Sequence, residues 1–117
     1  MFPAVTGTCN QGAVGGSAPV AAFSAIPLDG PSPVVANFAD ESTNTPTAWL
    51  WVVTDDPMFG THAFTNGTSS ASQHPQITFT HSGTPMDPPA MSLVTLTVTN
   101  AFGADNEIKP GYITVFP

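Results

Sequence analysis

The feature that most constrains the fold is residues 47–53, which read Thr-Ala-Trp-Leu-Trp-Val-Val. In a β-strand successive side chains point to opposite faces, so Trp49 and Trp51 would share one face. A buried indole removes a large apolar area from water, which makes that face a core face. Leu50 and Val52 make the opposite face apolar as well. We therefore expect this strand to lie at the centre of a sheet rather than at its edge.

Residues 93–100 alternate large aliphatic side chains with hydroxyl side chains. Val94, Leu96 and Val98 would point towards the core, while the threonines between them would face solvent. This alternation is typical of an antiparallel strand with one buried face. The pattern therefore predicts a second strand that packs against the core from one side only.

Shorter patterns predict further strands, separated by turn residues. The turn segments are Pro27–Pro33, a long connection over 54–67 with a tight turn at Asn66-Gly67, and 82–90. Six or seven short strands with no helical periodicity indicate an all-β antiparallel sandwich. The additional strands are Val20–Ala25, Val34–Phe38, a weaker one at Ser69–Gln73, Gln76–Thr80, and a last strand that ends at Val115 and is interrupted near Pro110.

The chain is poor in charge. Charged residues make up 8% of its 117 residues, against about 25% in a typical globular domain. Eight acidic residues and a single basic side chain, Lys109, give a net charge of −7. Such a balance repels phosphate backbones, so we expect no nucleic-acid partner. No apolar run reaches the roughly 18 residues of a bilayer-spanning segment, so we expect no membrane partner.

Residues 1–18 contain four of the ten glycines and show no periodicity. They predict a flexible N-terminal arm before a sandwich domain at 19–117. The arm is either a plain disordered tail or an anchor that orders on a partner. Cys9 is the only cysteine, so no internal disulfide is possible, and its role stays open. The start lacks the features of a secretory signal. The candidate binding residues of the arm are Phe2, Pro3 and Val5 at its apolar tip.

Three segments carry a resemblance to a known family. These are residues 38–51, which end in Trp-Leu-Trp, His-Pro-Gln-Ile-Thr-Phe-Thr at 74–80, and 94–105 followed by Gly-Tyr-Ile-Thr-Val at 111–115. Together they resemble a polycystic-kidney-disease (PKD) domain over roughly Pro19 to Val115. The resemblance implies an immunoglobulin-like antiparallel β-sandwich of about seven strands. It also implies a non-catalytic binding or spacing role, as in surface-layer proteins, adhesins, secreted hydrolases and some phage proteins.

The chain departs from this family after Trp51, where Val-Val-Thr-Asp-Asp replaces the usual Asp-Phe-Gly-Asp-Gly. Relative to the family pattern, an insertion that contains Met58, Phe59, His62 and Phe64 follows, and a second insertion after the Ser82-Gly83-Thr84 turn contains Pro85, Met86, Pro88, Pro89 and Met91. Consecutive strands of an antiparallel sandwich reverse direction, so both insertions and the Pro27–Pro33 loop would emerge at one end. We call this end, together with the C-terminus, the loop pole.

The loop pole is the expected binding surface, because Met, aromatic side chains and rigid loops favour interfaces. The outward sheet faces would instead carry mostly threonine and serine. The alternative is that the aromatic rings only close the open end of the sandwich core. The candidate binding residues of the loop pole are Met58, Phe59, His62, Phe64, Met86 and Pro88.

Catalysis is not predicted, because no Gly-x-Ser-x-Gly or comparable motif surrounds the serines. His62 and His81 are expected to be solvated loop histidines. The carboxylates of the loop pole are of the type that binds calcium, but no Asp-x-Asp-x-Asp-Gly loop is present. Solvated turn carboxylates are therefore the favoured interpretation, and we expect no catalytic residue, no cofactor and no metal.

Two functions fit these features, and an independent enzyme fits them poorly. The first is a structural interaction protein on the virion surface, in particular a decoration or cement protein of a phage capsid. Its partner would be a capsid protein or copies of itself in a homo-oligomer. The second is an accessory carbohydrate- or protein-binding module of a secreted enzyme or adhesin. That module would be extracellular or on the cell surface, with a glycan as a possible partner.

Overall fold

The computed structural model describes residues 16–117. The predicted arm, with Phe2, Pro3 and Val5, therefore lies outside the described residues except for 16–18. The side-chain amide of Asn100 donates a hydrogen bond to the Ser17 carbonyl at 2.8 Å, and that of Asn44 donates to the Ala18 carbonyl at 3.0 Å.

The described part of the chain contains eight β-strands and no helix. The strands are β1 (Phe23–Ile26), β2 (Asp29–Pro31), β3 (Val34–Asp40), β4 (Ala48–Thr54), β5 (Gly60–Thr65), β6 (Gln76–His81), β7 (Ala90–Asn100) and β8 (Gly103–Phe116).

The strands form two four-stranded sheets that pack face to face. The first sheet has the order β1-β3-β6-β5 and is antiparallel throughout. The second has the order β2-β8-β7-β4, in which β2 and β8 run parallel. The predicted all-β sandwich is confirmed at this level. The expected seven antiparallel strands need correction to eight strands with one parallel pair.

The core lies between the two sheets, and its buried residues come from alternate positions of β1, β3, β6 and β7, with Trp51 of β4 and two residues of β8. Val94, Leu96 and Val98 are fully buried, as the alternation predicts. The indole of Trp51, only 1% exposed, lies edge-on to the rings of Phe23 and Phe38, with centroid distances of 5.2 and 5.4 Å. The other large core residues are Val34, Ile77, Phe79, Ile113 and Val115.

The Trp strand lies at a sheet edge, so the prediction of a central strand is wrong. β4 pairs with β7 alone, and Leu50 and Val52 are 50% and 47% exposed. In a two-layered sandwich only one face of each sheet meets the other layer, which leaves the second apolar face outside. On the free side of β4 the Trp51 N–H donates to the Ser70 carbonyl at 2.8 Å. Residues 69–73 thus cover this edge as a turn and do not form the weak strand predicted there.

Two strands lie in segments that the sequence presents as connections. β2 falls in the Pro27–Pro33 turn segment, and its Asp-Gly-Pro sequence carries no strand pattern. Hydrogen bonds from Thr114 N–H to the Leu28 carbonyl and from Ser32 N–H to the Phe116 carbonyl tie this segment to β8. β5 falls in the long connection after β4.

Two local predictions are confirmed. Asn66 and Gly67 have φ values of 58° and 74°, and the Thr68 N–H donates to the Thr65 carbonyl, which closes the tight turn. The interruption near Pro110 is a register shift between β7 and β8, where Gly111 has a positive φ of 58°. Glycine adopts this left-handed conformation without a steric penalty.

Three side chains of β8 close the free edge of β1 and of the residues just before it. They reach from the second sheet to the first and occupy backbone groups that a neighbouring strand would otherwise pair. The hydrogen bonds join Ala21 N–H to Asp105 Oδ2 (2.8 Å), Lys109 Nζ to the Phe23 carbonyl (2.7 Å), and Ala25 N–H to Tyr112 Oη (3.1 Å).

Asp40 anchors the end of the sandwich opposite the loop pole. Its carboxylate accepts hydrogen bonds from the Ser42 N–H at 3.0 Å, the Trp49 indole at 2.8 Å and the Gln73 amide at 3.2 Å. Partial burial raises the pKa of Asp40, but these hydrogen bonds outweigh burial and hold the pKa below its ordinary value of 3.8. The group therefore stabilises the fold above its unfolded pKa, and the contribution is lost as the pH falls through the lower folded pKa.

We expect Asp40→Asn to lower the free energy of unfolding by about 1 kcal/mol at neutral pH, because the amide cannot accept all three hydrogen bonds and water screens the site. The difference from wild type should shrink below about pH 4, where the wild-type carboxylate also becomes protonated. Urea denaturation of both proteins from neutral pH to about pH 3 measures this difference in the free energy of unfolding. Asp29→Asn is the charge-matched control, because Asp29 is exposed. A difference that stays constant down to about pH 3 would contradict the role of ionisation.

Candidate functional site

The predicted loop pole exists, and hydrogen bonds join its segments. The Ser82 N–H donates to the Phe59 carbonyl at 2.9 Å, which links the first insertion to the turn that leads into the second. The His81 N–H donates to Ser32 Oγ at 3.0 Å, and the Ser32 N–H donates to the Phe116 carbonyl at 2.8 Å. The Pro27–Pro33 loop, both insertions and the end of β8 therefore meet at one end of the sandwich.

His81 is a buried structural residue at the end of β6, so the expectation of a solvated loop histidine is wrong. The Gly83 nitrogen lies 2.9 Å from Nδ1 of the His81 ring, and the Pro88 carbonyl oxygen lies 2.8 Å from Nε2. An amide N–H can only donate and a carbonyl can only accept, so Nδ1 is the acceptor and Nε2 carries the hydrogen. Both ring nitrogens are thus engaged, and Pro88 contributes its carbonyl to this contact.

His62 lies in β5, half-buried, and its Nδ1 is 2.6 Å from Asp55 Oδ2. The other oxygen of Asp55 accepts a hydrogen bond of 3.3 Å from Ser92 Oγ. A nucleophilic serine needs its hydroxyl on the histidine, with the carboxylate on the far side of the ring. Here the serine contacts the carboxylate instead, so the three side chains have the arrangement of a structural hydrogen-bond group.

The two aromatic rings of the first insertion are packed rather than presented to solvent. Phe59 stacks on the His81 ring at a centroid distance of 5.2 Å and an interplanar angle of 7°. Phe64 lies opposite Ile77, further along β5 and away from the loop pole, where it packs against the core. Phe59 thus covers His81 at the loop pole, as the alternative of packed rings expects, whereas the prediction that Phe64 lies at the loop pole is wrong.

Three candidate residues of the loop pole are exposed: Pro88, and the two methionines Met58 and Met86, which are 75% and 93% exposed. Asp56 Oδ1 accepts the N–H groups of Met58 and Phe59 at 2.9 and 3.1 Å, which fixes the first loop. Asp87 Oδ2 accepts the N–H of Thr84 at 2.7 Å and fixes the second. The loop pole therefore presents these two flexible apolar side chains on well-anchored backbone, and Met91 of the second insertion is 54% exposed as well.

Asp56 and Asp87 of the loop pole hold their own turns together, and Asp55 connects the end of β4 to His62 of β5 and Ser92 of β7. Asp55, Asp56 and Asp87 each accept intramolecular hydrogen bonds, as described above. Within residues 16–117, no group of three or more His, Cys, Asp or Glu side chains is placed to hold a metal ion. The same residues contain no helix long and apolar enough to cross a membrane.

The outer side of the second sheet forms another candidate surface, which sequence reasoning missed. Exposed apolar residues lie on the two strands that flank β7: Leu50 and Val52 on β4 and Ile108 on β8. Thr95 and Thr97 of β7 lie between them in register. We call these five residues the uncharged face, because the outward positions of β4, β7 and β8 hold no acidic or basic side chain.

The end of the sandwich opposite the loop pole carries a cleft of about 430 Å³. Asn100 lines this cleft, but its amide group is already used within the protein, because it donates hydrogen bonds to the carbonyls of Ser17 and Asn44. Phe102, beside this asparagine, is 60% exposed.

The chain matches no protein-family model, no curated protein and no solved structure.

Proposed function

We propose that this chain is a non-catalytic structural interaction protein, in particular a decoration or cement protein on a virus capsid, built on a PKD-like sandwich. The observation that carries the proposal is the pair of exposed methionines, Met58 and Met86, on hydrogen-bonded loops at one end of a rigid scaffold. Methionine is enriched at interfaces because its flexible, polarizable side chain adapts to a partner. The anchored backbone lowers the ordering cost of association.

The polar chemistry of the loop pole supports a structural role. Both nitrogens of His81 bind backbone groups, and His62 pairs with Asp55. Asp56 and Asp87 bind the backbone of their own turns. Side chains committed in this way stabilise a surface, and the apolar side chains between them supply the contact area.

The test is association of the full chain with capsid particles that lack it, measured by co-sedimentation. We expect the double variant Met58→Ser, Met86→Ser to weaken binding at least tenfold, because central apolar side chains dominate interface energies. Its melting temperature should equal that of wild type, since both side chains are exposed. Binding should change little with salt, because the contact is apolar.

Phe102→Ser is the matched control, since it removes an exposed apolar side chain from the opposite end of the molecule. It should bind capsids as wild type does. Wild-type protein that does not sediment with capsids would contradict the virion role. Equal loss of binding in both variants would contradict the assignment of the contact to the loop pole.

The runner-up function is that of an accessory glycan-binding module, which the cleft beside Phe102 favours. An exposed aromatic ring next to hydroxyl side chains has the chemistry that stacks on a sugar and binds its hydroxyl groups. Glycan-array binding by wild type that Phe102→Ser abolishes would favour this function over the first. Absence of binding to any immobilised glycan would remove it.

A further inference from the structure

We propose that residues 4–9 of this chain pair, as an added strand, with the free edge of β5 in the same molecule. The first sheet ends at β5, which pairs with β6 alone. The unpaired backbone N–H and C=O groups of an edge strand are a template for another extended segment. This pairing is separate from the proposed capsid contact and holds whether or not the loop pole binds a capsid.

The hydrogen bonding of β5 to β6 shows which backbone groups face the free edge. The Ser82 N–H donates to the Phe59 carbonyl, and in an antiparallel ladder such bonding recurs at every second residue. His62 and Phe64 fall between the bonded residues, so their N–H and C=O groups point away from β6. Within residues 16–117, no other strand or turn pairs with these four groups.

The other sheet edges are protected, which distinguishes β5 from them. Side chains of β8 close the edge of β1, and the turn at 69–73 covers β4. β2 is three residues long and ends at Pro31, which has no N–H to donate. β5 is six residues long and carries none of the proline, lysine or acidic side chains that discourage edge pairing. Among the edges that the structure describes, β5 is thus the one open to an added strand.

The sequence of residues 4–9, Ala-Val-Thr-Gly-Thr-Cys, fits beside β5. One face of such a strand would be small or apolar and would continue the inward face of β5, which carries His62 and Phe64. The other face would continue the outward threonines of β5. Residues 1–15 hold no charged side chain, so this acidic protein does not repel them. The inward set is Val5, Gly7 and Cys9, and the outward set is Ala4, Thr6 and Thr8.

The segment enters the described structure within reach of its own β5. Asn100, at the end of β7, binds the Ser17 carbonyl, and β7 lies across the core from β5. One layer spacing of about 10 Å and two strand spacings of about 4.8 Å place the Thr65 end of β5 about 15 Å away. Residues 10–15 span up to about 20 Å when extended. Residues 4–9 would then run parallel to the six residues of β5.

Tethering favours this segment over the same segment of a second copy. A short connection gives an effective concentration in the millimolar range, well above that of protein in dilute solution. Because the added strand would start near Gly60, Phe2 and Pro3 would lie at the loop pole. The pairing would therefore bring the apolar tip of the segment next to the exposed methionines.

Amide hydrogen exchange of the full chain in dilute, monomeric solution tests the pairing. Successive N–H groups of a strand point to opposite sides, so the double variant Thr6→Pro, Gly7→Pro removes one donor to β5 whichever face turns inward. We expect the His62 and Phe64 N–H groups to exchange at least about tenfold more slowly in wild type than in this variant. The Ala63 N–H, which bonds to β6, should keep its protection in both proteins.

Ala13→Pro, Val14→Pro is the matched control, because it places two prolines in the unpaired residues 10–15. It should leave the exchange of His62 and Phe64 within about twofold of wild type. Alkylation of Cys9 is a second measurement, since Cys9 is the only cysteine and would lie on the inward face. Its thiol should react several-fold more slowly in wild type than in Thr6→Pro, Gly7→Pro.

Equal exchange of His62 and Phe64 in wild type and in Thr6→Pro, Gly7→Pro would overturn the proposal. Equal effects of the two double variants would overturn it too, because the position of the prolines would then not matter. Protection that appears only as the protein concentration rises would assign the added strand to a second copy, and would overturn pairing within one molecule.

Discussion

Trp51→Ala should lower the free energy of unfolding by about 3–5 kcal/mol, the range for truncating a large buried aromatic residue. The Trp51 indole is fully buried between the two sheets and contacts Phe23 and Phe38 edge-on. Its Nε1 donates a hydrogen bond of 2.7 Å to the Ser72 carbonyl, so alanine would also leave this acceptor without its partner. The cavity, the lost aromatic contacts and the lost hydrogen bond all act in the same direction.

Urea denaturation followed by far-ultraviolet circular dichroism measures this effect. Val35→Ala is the control, because it also truncates a mid-strand side chain but one that is 43% exposed. It should cost under about 1 kcal/mol. A loss below about 1 kcal/mol for Trp51→Ala would mean that this ring does not hold the two layers together.

Lys109→Met should lower the free energy of unfolding by about 2–3 kcal/mol, the sum of a charged hydrogen bond and a partly screened cation–π contact. Lys109 Nζ donates to the Phe23 carbonyl at 2.7 Å and lies 4.8 and 4.9 Å from the ring centroids of Phe23 and Tyr112. Methionine keeps the apolar stem and removes the ammonium group, which leaves the carbonyl without this donor. The single basic side chain of the sequence is thus a structural link between β8 and β1.

Glu107→Gln is the control that tests whether the loss comes from the contact of Lys109 with β1 or from the ion pair between Lys109 and Glu107. Glu107 Oε2 lies 3.9 Å from Lys109 Nζ, and both side chains are partly exposed. Such pairs contribute little, so this variant should lose under about 0.5 kcal/mol. Equal losses in the two variants would show that the ion pair, and not the contact with β1, accounts for the effect.

Periodicity predicted the core well, because burial on one face is a local property of a strand. The alternation at 93–100 and the positions of Trp51, Ile77 and Phe79 all placed the correct side chains inside. What periodicity cannot show is which sheet edge a strand occupies. Leu50 and Val52 are as apolar as core residues, but no third layer covers them. The uncharged face was missed for the same reason.

The missed strands and the misjudged histidines depend on long-range pairing. β2 is set by hydrogen bonds to Thr114 and Phe116, more than 80 residues further along the chain. His62 and His81 face the interior because they alternate in step with the inward residues of their strands, Phe64 in β5 and Phe79 in β6. The alternation of His62 and Phe64 in β5 was a usable signal, but the Asp-Asp-Pro sequence before it suggested a loop. The loop pole was found because strand reversal follows from topology alone.

The closure of the β1 edge couples the first strand of the sandwich to the last. Asp105, Lys109 and Tyr112 hold β1 from one side while β3 pairs with it from the other. A force applied to the segment before β1 would therefore act on β8 through three hydrogen bonds at once, and on β7 through the pairing of β8 with β7. Fraying of β1 is opposed by side chains some 84 to 87 positions away, so the sandwich should resist tension as one mechanical unit.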